Sequence, residues 1–355
     1  MKMTSRNCSP KVGSGAFWVC FLVVLAMTGQ ARLTEGQTME ERKRGAERIE
    51  SLGITDFGLA PRIGPDVTTN LRGIALNAEE TRLYVADYDN SNIKVINLAN
   101  DQVATTIKVG EHPYYMAARP HSKEIWVTSS NGRIYVINTK KNNVLRSFRG
   151  PGAPVSIGFD PSGKYATVGD TNGGAYTFKA ATGGRISKCF FGLSTYGVAM
   201  LGKKMFYATT RDGWVARVGR NCHVDGIYTA QSNGWRLALT SDSKYVVAAT
   251  TSTSVIDAES GEFLGKVEGS NSNYFVSSLD GKIVYGARAT GNGVEKIDPA
   301  ARTLIGVIGT PYSLWGITMA AKNGYLYATT AGSAFVTVID SKTDAVMKVI
   351  VAPQA

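Results

Sequence analysis

The sequence predicts an all-β protein: a seven-bladed β-propeller of four-stranded antiparallel blades, preceded by a signal peptide and a short helical N-terminal segment. Three observations lead to this prediction. A β-rich segment recurs about every 40 residues through most of the chain. Glycine accounts for 39 of the 355 residues, which is typical of a chain with many turns. A basic and then apolar stretch at the N-terminus is distinct from the repeats.

Each repeat is centred on a strand with aromatic or β-branched residues, and seven such centres align. They are Tyr84, Trp126, Thr167, Tyr207, Val247, Tyr285 and Tyr327. A strand of small residues precedes each centre, and two further strands follow it, as at 93–97 and 103–109. Four strands in the order a, b, c, d bury both faces only when such sheets pack in a ring, which predicts a propeller over residues 71–355. For ring closure, the C-terminal hairpin and an outer strand donated by residues 58–64 are both possible.

The N-terminus has the features of a secretory signal peptide. Residues 1–15 are basic without an acid, residues 16–27 are apolar, and small residues lead up to Ala31. We therefore predict a signal peptide over residues 1–31 and a secreted or extracytoplasmic location, periplasmic if the source is bacterial. A permanent anchor is the alternative, but the run is shorter than the ~20 residues that a spanning helix needs, so no stable membrane span is expected after cleavage.

Residues 32–70 are predicted to form a short helix and a linker ahead of the propeller. Thr38 followed by Glu41 fits a helix-capping pattern, and Gly53 follows the charged run. A solvated spacer is the alternative interpretation. Removal of the signal peptide leaves two cysteines, Cys189 and Cys222, near the lower outer rim of neighbouring blades. A disulfide between them is favoured in an oxidising compartment, with two free or buried thiols as the alternative.

Several of these segments resemble the YVTN-repeat family, within the quinoprotein-amine-dehydrogenase-like propeller superfamily. The matching segments are Tyr84-Val-Ala-Asp87, Trp126-Val-Thr-Ser129, the turns at 160–164 and 280–282, and the Ile-Asn or Ile-Asp strand ends. Blade 4 departs from the pattern at 202–204 and 218–219. The resemblance implies the propeller fold. The family includes secreted and periplasmic proteins, relatives of surface-layer proteins and some enzyme subunits, so no particular activity is implied.

One face of the ring, called the top here, is expected to carry the d–a and b–c loops. Aromatic and basic residues stand at the start of strand a in most units, where they are expected to surround the mouth of the axial channel. These candidate ligand-binding residues are Arg72, Tyr114, Tyr196, Trp235, Arg236, Tyr274 and Trp315. Flat rings beside a charge are suited to stacking on a sugar, a base or another planar ligand. Packing of the rings between blades is the alternative.

The opposite face, called the underside, is predicted to carry basic residues in its a–b turns. These are Lys123, Lys164, Lys203, Lys204, Lys244, Lys282 and Lys322. Together with a formal net charge of +11, they suggest binding of a polyanion such as nucleic acid or a sulfated glycan. Turn chemistry and protection of strand edges against aggregation are the alternative explanation.

Signs of catalysis are scarce in a composition that otherwise indicates a folded protein, with 43% hydrophobic and 19% charged residues. Three histidines leave little material for a multi-histidine metal site. His112, on the top face, is considered as a general base. Asp87, Asp89 and Asn92 are considered as calcium ligands. We assign neither role, so no catalytic residue, metal site or cofactor is predicted.

The sequence therefore favours a non-catalytic scaffold, expected to be monomeric, that binds a small ligand, a glycan or a protein at the channel mouth. A metal-dependent propeller enzyme of the lactonase or lyase type, acting through top-face carboxylates, is one alternative. A polyanion binder that uses the underside lysines is the other.

Overall fold

The computed structural model describes residues 69–229 and 234–353, and every regular element in these ranges is a β-strand. The strands form seven antiparallel sheets of four strands each, which confirms the predicted seven-bladed propeller. No helix in these ranges has the length and apolar character needed to cross a bilayer. The predicted signal peptide and N-terminal helix lie outside the described residues, as do residues 58–64.

The blades follow one another along the chain, and in each the strands a, b, c and d lie side by side in sequence order. Blades 1 to 4 comprise β1 (Leu71–Leu76), β2 (Arg82–Asp87), β3 (Asn92–Asn97) and β4 (Gln102–Lys108); β5 (Pro113–Ala118), β6 (Glu124–Ser129), β7 (Arg133–Asn138) and β8 (Asn143–Arg149); β9 (Pro154–Phe159), β10 (Tyr165–Asp170), β11 (Gly174–Lys179) and β12 (Gly184–Phe190); β13 (Thr195–Met200), β14 (Met205–Thr210), β15 (Trp214–Gly219) and β16 (Val224–Thr229). Blades 5 to 7 comprise β17 (Leu237–Leu239), β18 (Tyr245–Ala248), β19 (Thr253–Asp257) and β20 (Phe263–Val267); β21 (Ser272–Ser277), β22 (Val284–Arg288), β23 (Val294–Asp298) and β24 (Thr303–Ile308); β25 (Leu314–Met319), β26 (Tyr325–Thr330), β27 (Phe335–Asp340) and β28 (Ala345–Val351).

The seven a strands form the inner wall of the ring. Each contacts the a strand of the next blade, in the order β1, β5, β9, β13, β17, β21 and β25, and β25 in turn contacts β1. Strands b and c of each blade are largely buried on both faces, whereas strand d alternates between exposed and partly buried residues, as in β4. This gradient follows from radial packing, because only the outermost strand has no neighbour beyond it.

Apolar clusters between neighbouring blades make up the core. One cluster joins blades 1 and 2 through Tyr84, Ile93 and Met116, among others. Trp126 in β6 is fully buried and packs edge-on against Phe148 and, across the next interface, against Phe159. Each blade therefore completes the core of its neighbour, as the repeat pattern requires.

The aromatic residue at the centre of strand b also makes a polar contact with the next blade. Tyr84 donates its hydroxyl to the Thr139 carbonyl at 3.1 Å, and Tyr207 does the same to the Ala258 carbonyl at 2.9 Å. Burial raises the pKa of each of these tyrosines to about 12, so both hydroxyls stay protonated as donors at neutral pH. A tyrosine at this repeat position thus fills the core with its ring and ties two blades together with its hydroxyl.

Ring closure between blades 7 and 1 uses no exchanged strand in the described residues. The outer strand of blade 7 is β28, so the C-terminal hairpin supplies it. On the underside, the Glu80 carboxylate accepts hydrogen bonds from the backbone N–H groups of Ala321 and Lys322 at 2.7 and 2.9 Å. An apolar cluster that includes Leu71 and Ile350 fills the interface. Packing and side-chain hydrogen bonds therefore hold the first blade to the last.

A buried ion pair supports blade 1 next to this junction. Lys94 in β3 lies 3.3 Å from Asp87 at the end of β2, and neither side chain is exposed. Lys94 also donates to the carbonyl of Pro353 at 2.5 Å, just after the last strand. The side-chain amide of Asn90 satisfies the Asp87 carboxylate further, at 2.9 and 3.0 Å. Removal of either charge from such a buried pair leaves the other buried without a counter-charge, which is strongly destabilising.

A disulfide joins blades 3 and 4 on the outer rim. Cys189 in β12 and Cys222, in the turn between β15 and β16, are bonded through their sulfur atoms, with their Cα atoms 5.0 Å apart. Cys189 is almost fully buried and packs with Val198 and Met200 of blade 4. The bridge therefore pins an interface that apolar packing already holds.

We predict that Asp87→Asn lowers the free energy of unfolding by about 3–5 kcal/mol, because the Lys94 ammonium would remain buried without its counter-charge. Urea unfolding followed by circular dichroism measures this change. The matched control is Glu79→Gln, which removes an exposed ion pair with Lys123 and should have little effect. Equal losses in the two variants would contradict a dominant role for the buried pair.

We predict that the Cys189→Ala, Cys222→Ala double variant is less stable by about 3–4 kcal/mol, because the bridge closes a loop across a separation of 33 residues. Peptide mapping of the native protein should find both cysteines blocked to alkylation before reduction and free after it. Alkylation of both thiols without reduction would show that the bridge does not form.

Candidate ligand-binding site at the channel mouth

The top face is defined by the strand register. Leu71 at the start of β1 pairs with Asp87 at the end of β2, and Asn92 at the start of β3 pairs with Lys108 at the end of β4. The d–a and b–c loops of a blade therefore lie at one edge of the sheet. Four of the predicted mouth residues are the second residue of strand a, at this edge: Arg72, Tyr114, Tyr196 and Trp315. Trp235 and Arg236 come directly before β17.

The mouth residues lie where strand a leaves the regular ladder. The pairing of strand a with strand b is interrupted between Leu71 and Ile74, between Pro113 and Met116, and between Leu314 and Ile317. Such an irregularity bends the strand and frees backbone groups from the ladder. It recurs in several blades at the height of the mouth.

Threonine hydroxyls of strand b form hydrogen bonds with backbone groups of strand a at this level. Thr128 accepts from the N–H of Tyr115 at 3.0 Å. Thr329 accepts from the N–H of Gly316 at 2.8 Å and donates to the Arg72 carbonyl of the next blade at 2.7 Å. Thr209 likewise donates to the Trp235 carbonyl of the next blade at 2.5 Å. The threonine of the repeat therefore fixes the backbone from which the mouth side chains project.

Glycines let neighbouring a strands approach at this level. A Cβ at Gly316 would lie 2.6 Å from the carbonyl oxygen of Arg72, and one at Gly197 would lie 3.0 Å from the Cα of Arg236. Contacts this short with backbone atoms leave no room for a side chain. The absence of a side chain at these positions therefore places both arginines close to the axis.

Arg72 is surrounded by aromatic rings. Its guanidinium carbon lies 3.9 Å from the ring centre of Tyr88, 4.7 Å from that of Trp315 and 4.9 Å from that of Tyr114. The Arg72 side chain is partly exposed at the mouth. Rings over a guanidinium stabilise the cation by their negative faces, an effect that is stronger where water is excluded.

Arg236 lies deeper and reaches across the channel. It comes from blade 5, yet its guanidinium carbon lies 4.8 Å from the ring centre of Tyr115 and 5.4 Å from that of Tyr114, both in blade 2. Tyr274 of blade 6 lies 5.2 Å away, and Nη1 of Arg236 donates to the Tyr196 carbonyl. Only 3% of Arg236 is exposed. This layer of one arginine and several rings closes the channel beneath the mouth.

The electrostatic setting of this layer favours the charged arginine. Burial opposes the charge of Arg236, but the phenol groups of Tyr274, Tyr114 and Tyr115 raise its pKa overall. Burial also opposes the charged form of the tyrosines. It raises the pKa of Tyr274 and of Tyr115, so both phenol groups stay protonated and neutral. A permanent positive charge therefore sits under the mouth among neutral rings.

Tyr274 belongs to the floor of the mouth rather than to its rim. It pairs with Ala287, the residue before the end of strand b, so Asn273 is the topological equivalent of Tyr114. Tyr274 is 5% exposed, whereas Tyr114, Tyr196 and Trp315 are partly exposed. Tyr274 stands one residue further along its strand than Tyr114 does, and neighbouring residues of a strand point to opposite sides, which separates the two roles.

Two pairs of aromatic residues pack across blade boundaries at the mouth, and all of them except Tyr274 are partly exposed to solvent. Tyr196 and Trp235 form an edge-to-face pair with ring centres 5.2 Å apart, and Tyr274 and Trp315 lie 5.7 Å apart. The two interpretations of these rings, interface packing and ligand contact, are therefore compatible. Sequence reasoning missed Tyr88 and Tyr115. For Tyr88 the sequence did contain an indication, because this residue directly follows the last residue of a b strand and so belongs to a loop of the top face.

Three buried carboxylates of the top face are engaged in local structure, whereas Asp89, Glu111 and Asp212 are exposed. Asp87 is paired with Lys94, and Asp170 accepts from the backbone N–H groups of Ala153 and Asn172. Buried Glu295 accepts from the Ser272 hydroxyl at 2.7 Å and lies 3.3 Å from Arg288. The described part of the chain holds no group of three or more His, Cys, Asp or Glu side chains placed to bind a metal ion.

His112, considered from the sequence as a general base, lies beside the mouth. Its ring stacks on Tyr88 with the centres 4.6 Å apart, and its Nδ1 is 3.3 Å from the Ser130 hydroxyl. Since Tyr88 covers Arg72, this histidine extends the aromatic stack outward to solvent.

The underside lysines are all exposed, and neighbouring groups neutralise part of their charge. Lys123 lies 3.1 Å from the Glu79 carboxylate, Lys244 lies 3.4 Å from Asp242, and Lys322 donates to the Glu79 carbonyl. Hydrogen bonding to Lys123 lowers the pKa of Glu79, so this acid stays ionised beside its partner at neutral pH. The remaining four, Lys164, Lys203, Lys204 and Lys282, project into solvent from separate blades or turns.

A cavity of about 410 Å³ opens at the lower end of the channel. Strand a of blades 1, 2, 6 and 7 lines it, together with the a–b turns of blades 1 and 2. Tyr115 lines this cavity and also contacts Arg236. The arginine–tyrosine layer therefore separates the lower cavity from the upper mouth.

Comparisons with known proteins agree with this architecture. A structure of Kuenenia stuttgartiensis hydrazine synthase superposes with a TM-score of 0.66 and 14% identity, covering 79% of this chain and 98% of that one. The likeness shows the propeller fold alone. Antigen Lp49 of Leptospira interrogans serogroup Icterohaemorrhagiae serovar copenhageni (strain Fiocruz L1-130) is 23% identical over 163 residues, which cover 42% of this chain and 35% of the relative. The match thus spans about a third of that curated relative. No family model matches the chain.

We predict that Arg236→Met leaves the free energy of unfolding within about 1 kcal/mol of the wild type or raises it, because burial of a guanidinium without a carboxylate partner costs stability. The comparison variant is Arg146→Met, which removes two hydrogen bonds to Glu124 and should cost about 1–3 kcal/mol. Chemical unfolding of both variants provides the measurement. A larger loss for Arg236→Met than for Arg146→Met would assign Arg236 a mainly structural role.

Proposed function

We propose that this chain is a secreted or periplasmic propeller of the YVTN-repeat type that acts as a non-catalytic scaffold and binds a small ligand, a glycan or a protein at the channel mouth. The observation that supports this most directly is the mouth itself. Partly exposed aromatic rings surround a partly exposed arginine, above a floor closed by Arg236 and Tyr274. A concave site with aromatic walls and a few polar groups is the usual form of a binding site.

The rigidity of the ring favours recognition over catalysis. Hydrogen bonds from a neighbouring blade hold the backbone at several mouth residues: Thr329 donates to the Arg72 carbonyl, Thr209 to that of Trp235 and Arg236 to that of Tyr196. A preorganised surface loses little conformational entropy when it binds. The description of the Leptospira relative as an antigen is compatible with the location that we propose here.

The two alternatives have less support. Three of the seven underside lysines lie against neighbouring acidic or carbonyl groups, which weakens a polyanion site there. The lactonase or lyase alternative requires free top-face carboxylates, and Asp87 and Asp170 are committed to local contacts. A propeller that binds through its mouth accounts for more of the observed geometry.

We predict that Trp315→Ala weakens binding of any ligand found in a screen of glycans and small molecules by about tenfold or more, because a ring that stacks on a ligand contributes about 1–3 kcal/mol. Isothermal titration measures the affinity. Trp214, 37% exposed at the start of β15 on the outer part of blade 4, supplies the matched control Trp214→Ala, which should bind like the wild type. Equal effects of the two substitutions, or hits that bind only through the underside lysines, would refute a site at the mouth.

A further inference from the structure

Several buried hydrogen-bond donors at the mouth have no acceptor among the described residues. They are Nε of Arg72, Nε and Nη2 of Arg236, Nε1 of Trp315 and the hydroxyl of Tyr274. Buried polar groups in folded proteins almost always find a partner, so each exception calls for an explanation. The arginine and tryptophan side chains can only donate, whereas the Tyr274 hydroxyl can also accept, and hydrogen bonding from Arg236 acts to lower the pKa of Tyr274 against the larger effect of burial. The need for a partner therefore comes from the two arginines and the tryptophan. The missing partner is therefore an acceptor.

These donors belong to one continuous cluster. The guanidinium of Arg72 lies 4.7 Å from the ring centre of Trp315, and that ring lies 5.7 Å from Tyr274. Tyr274 in turn lies 5.2 Å from the guanidinium of Arg236. Donors contributed by blades 1, 5, 6 and 7 thus converge on one side of the channel mouth.

The cluster also carries two positive charges without a counter-charge. Both guanidinium groups face the ring of Tyr114, at 4.9 and 5.4 Å from its centre. Within the described ranges, no carboxylate oxygen lies within 4.0 Å of Arg72 or Arg236, whereas the acids of the same face pair with Lys94 and Arg288. Like charges in a site of low water content repel each other more than in water. A bound anion would relieve that repulsion.

The geometry of a guanidinium suits such an anion. Its N–H groups point outward in the plane of the group, and Nε of Arg72 has no hydrogen-bond partner among the described residues. Two oxygens of a carboxylate or a phosphate match this planar fork. Of the two arginines, Arg72 is partly exposed and Arg236 is buried, so Arg72 is the accessible one.

We infer that the channel mouth is an oxyanion site, in which Arg72 binds a carboxylate or phosphate group of the ligand and Arg236, in the layer below, supplies a second positive charge. The inference rests on the proposed function, because it names the ligand class for the same site. The partly exposed rings of Tyr196 and Trp235 beside the cluster offer an aromatic surface to a planar group attached to the anion.

The test uses three probes: inorganic phosphate, benzoate and benzamide, the neutral analogue of benzoate. Each is titrated into the full-length protein at constant ionic strength while the thermal unfolding midpoint and the tryptophan fluorescence are recorded. A ligand that binds only the native state raises the midpoint by an amount that grows with the logarithm of its concentration above Kd, while the change in tryptophan fluorescence saturates as the site fills. We expect saturation with phosphate or with benzoate and none with benzamide, and the two anion titrations show whether the site prefers a phosphate or a carboxylate.

Variants assign the response to the cluster. Arg72→Gln should weaken anion binding tenfold or more, and Arg72→Lys should restore part of it, because lysine keeps the charge but not the planar fork. Lys164→Gln removes an exposed charge on the underside and should behave like the wild type. Circular dichroism of each variant confirms that the fold is retained.

An equal response of the wild type and Arg72→Gln, an equal response to benzoate and benzamide, or no saturable response to either anion would each overturn the oxyanion inference. The proposed function fails separately. A neutral ligand whose affinity depends on Trp315 but not on Arg72 would support binding at the mouth and refute the anion, whereas Arg72-dependent anion binding would support both.

Discussion

The close packing of the seven a strands around the axis is the constraint on which the other features of this protein depend. A single four-stranded sheet would leave an apolar face in water, and each blade here covers its neighbour instead. Contact between a strands requires small residues where backbones meet, and Gly197 and Gly316 meet that requirement next to Arg236 and Arg72. The same closeness forces the channel to be narrow, so that a side chain from blade 5 can touch rings of blade 2.

The narrow channel explains how the repeat produces a site. Strand a leaves the ladder at the same level in several blades, and the strand b threonines compensate by bonding the freed backbone groups. The architecture is therefore periodic, but the side chains that it presents are not. Blade 1 supplies an arginine at this level, blades 2 and 4 supply tyrosines and blade 7 supplies a tryptophan. Function in a propeller arises from such departures from the repeat, since the common part only builds the ring.

Arg236 illustrates the balance between stability and recognition. Its environment excludes water and offers no carboxylate partner in the described residues, so the charge reduces stability compared with an apolar side chain of similar size. The arginines around Glu124 are paired by contrast. Arg119 and Arg146 both donate to the Glu124 carboxylate, and each also donates to a backbone carbonyl of blade 3. Burial of Arg236 without a carboxylate partner, in a fold that pairs Arg119 and Arg146 with Glu124, is consistent with the binding role that we propose for the mouth.

The number of blades, the order of strands and the height of the mouth residues could be predicted from the sequence, because they depend on hydrophobic alternation and turn residues that act over a few positions. The structure decided what depends on contacts across the ring. Tyr274 lies in the floor because it stands one residue further along strand a than the rim residues do, and Arg236 meets Tyr115 because strands far apart in sequence face each other over the axis. Blade 7 closes the ring with its own β28, a choice that the repeat pattern left open because both candidate strands fit it. The sequence pattern of each repeat thus determined the four-stranded blades of this protein. Which side chains come together at the mouth was decided only when the blades closed into a ring, because spacing along the chain does not encode distance in space.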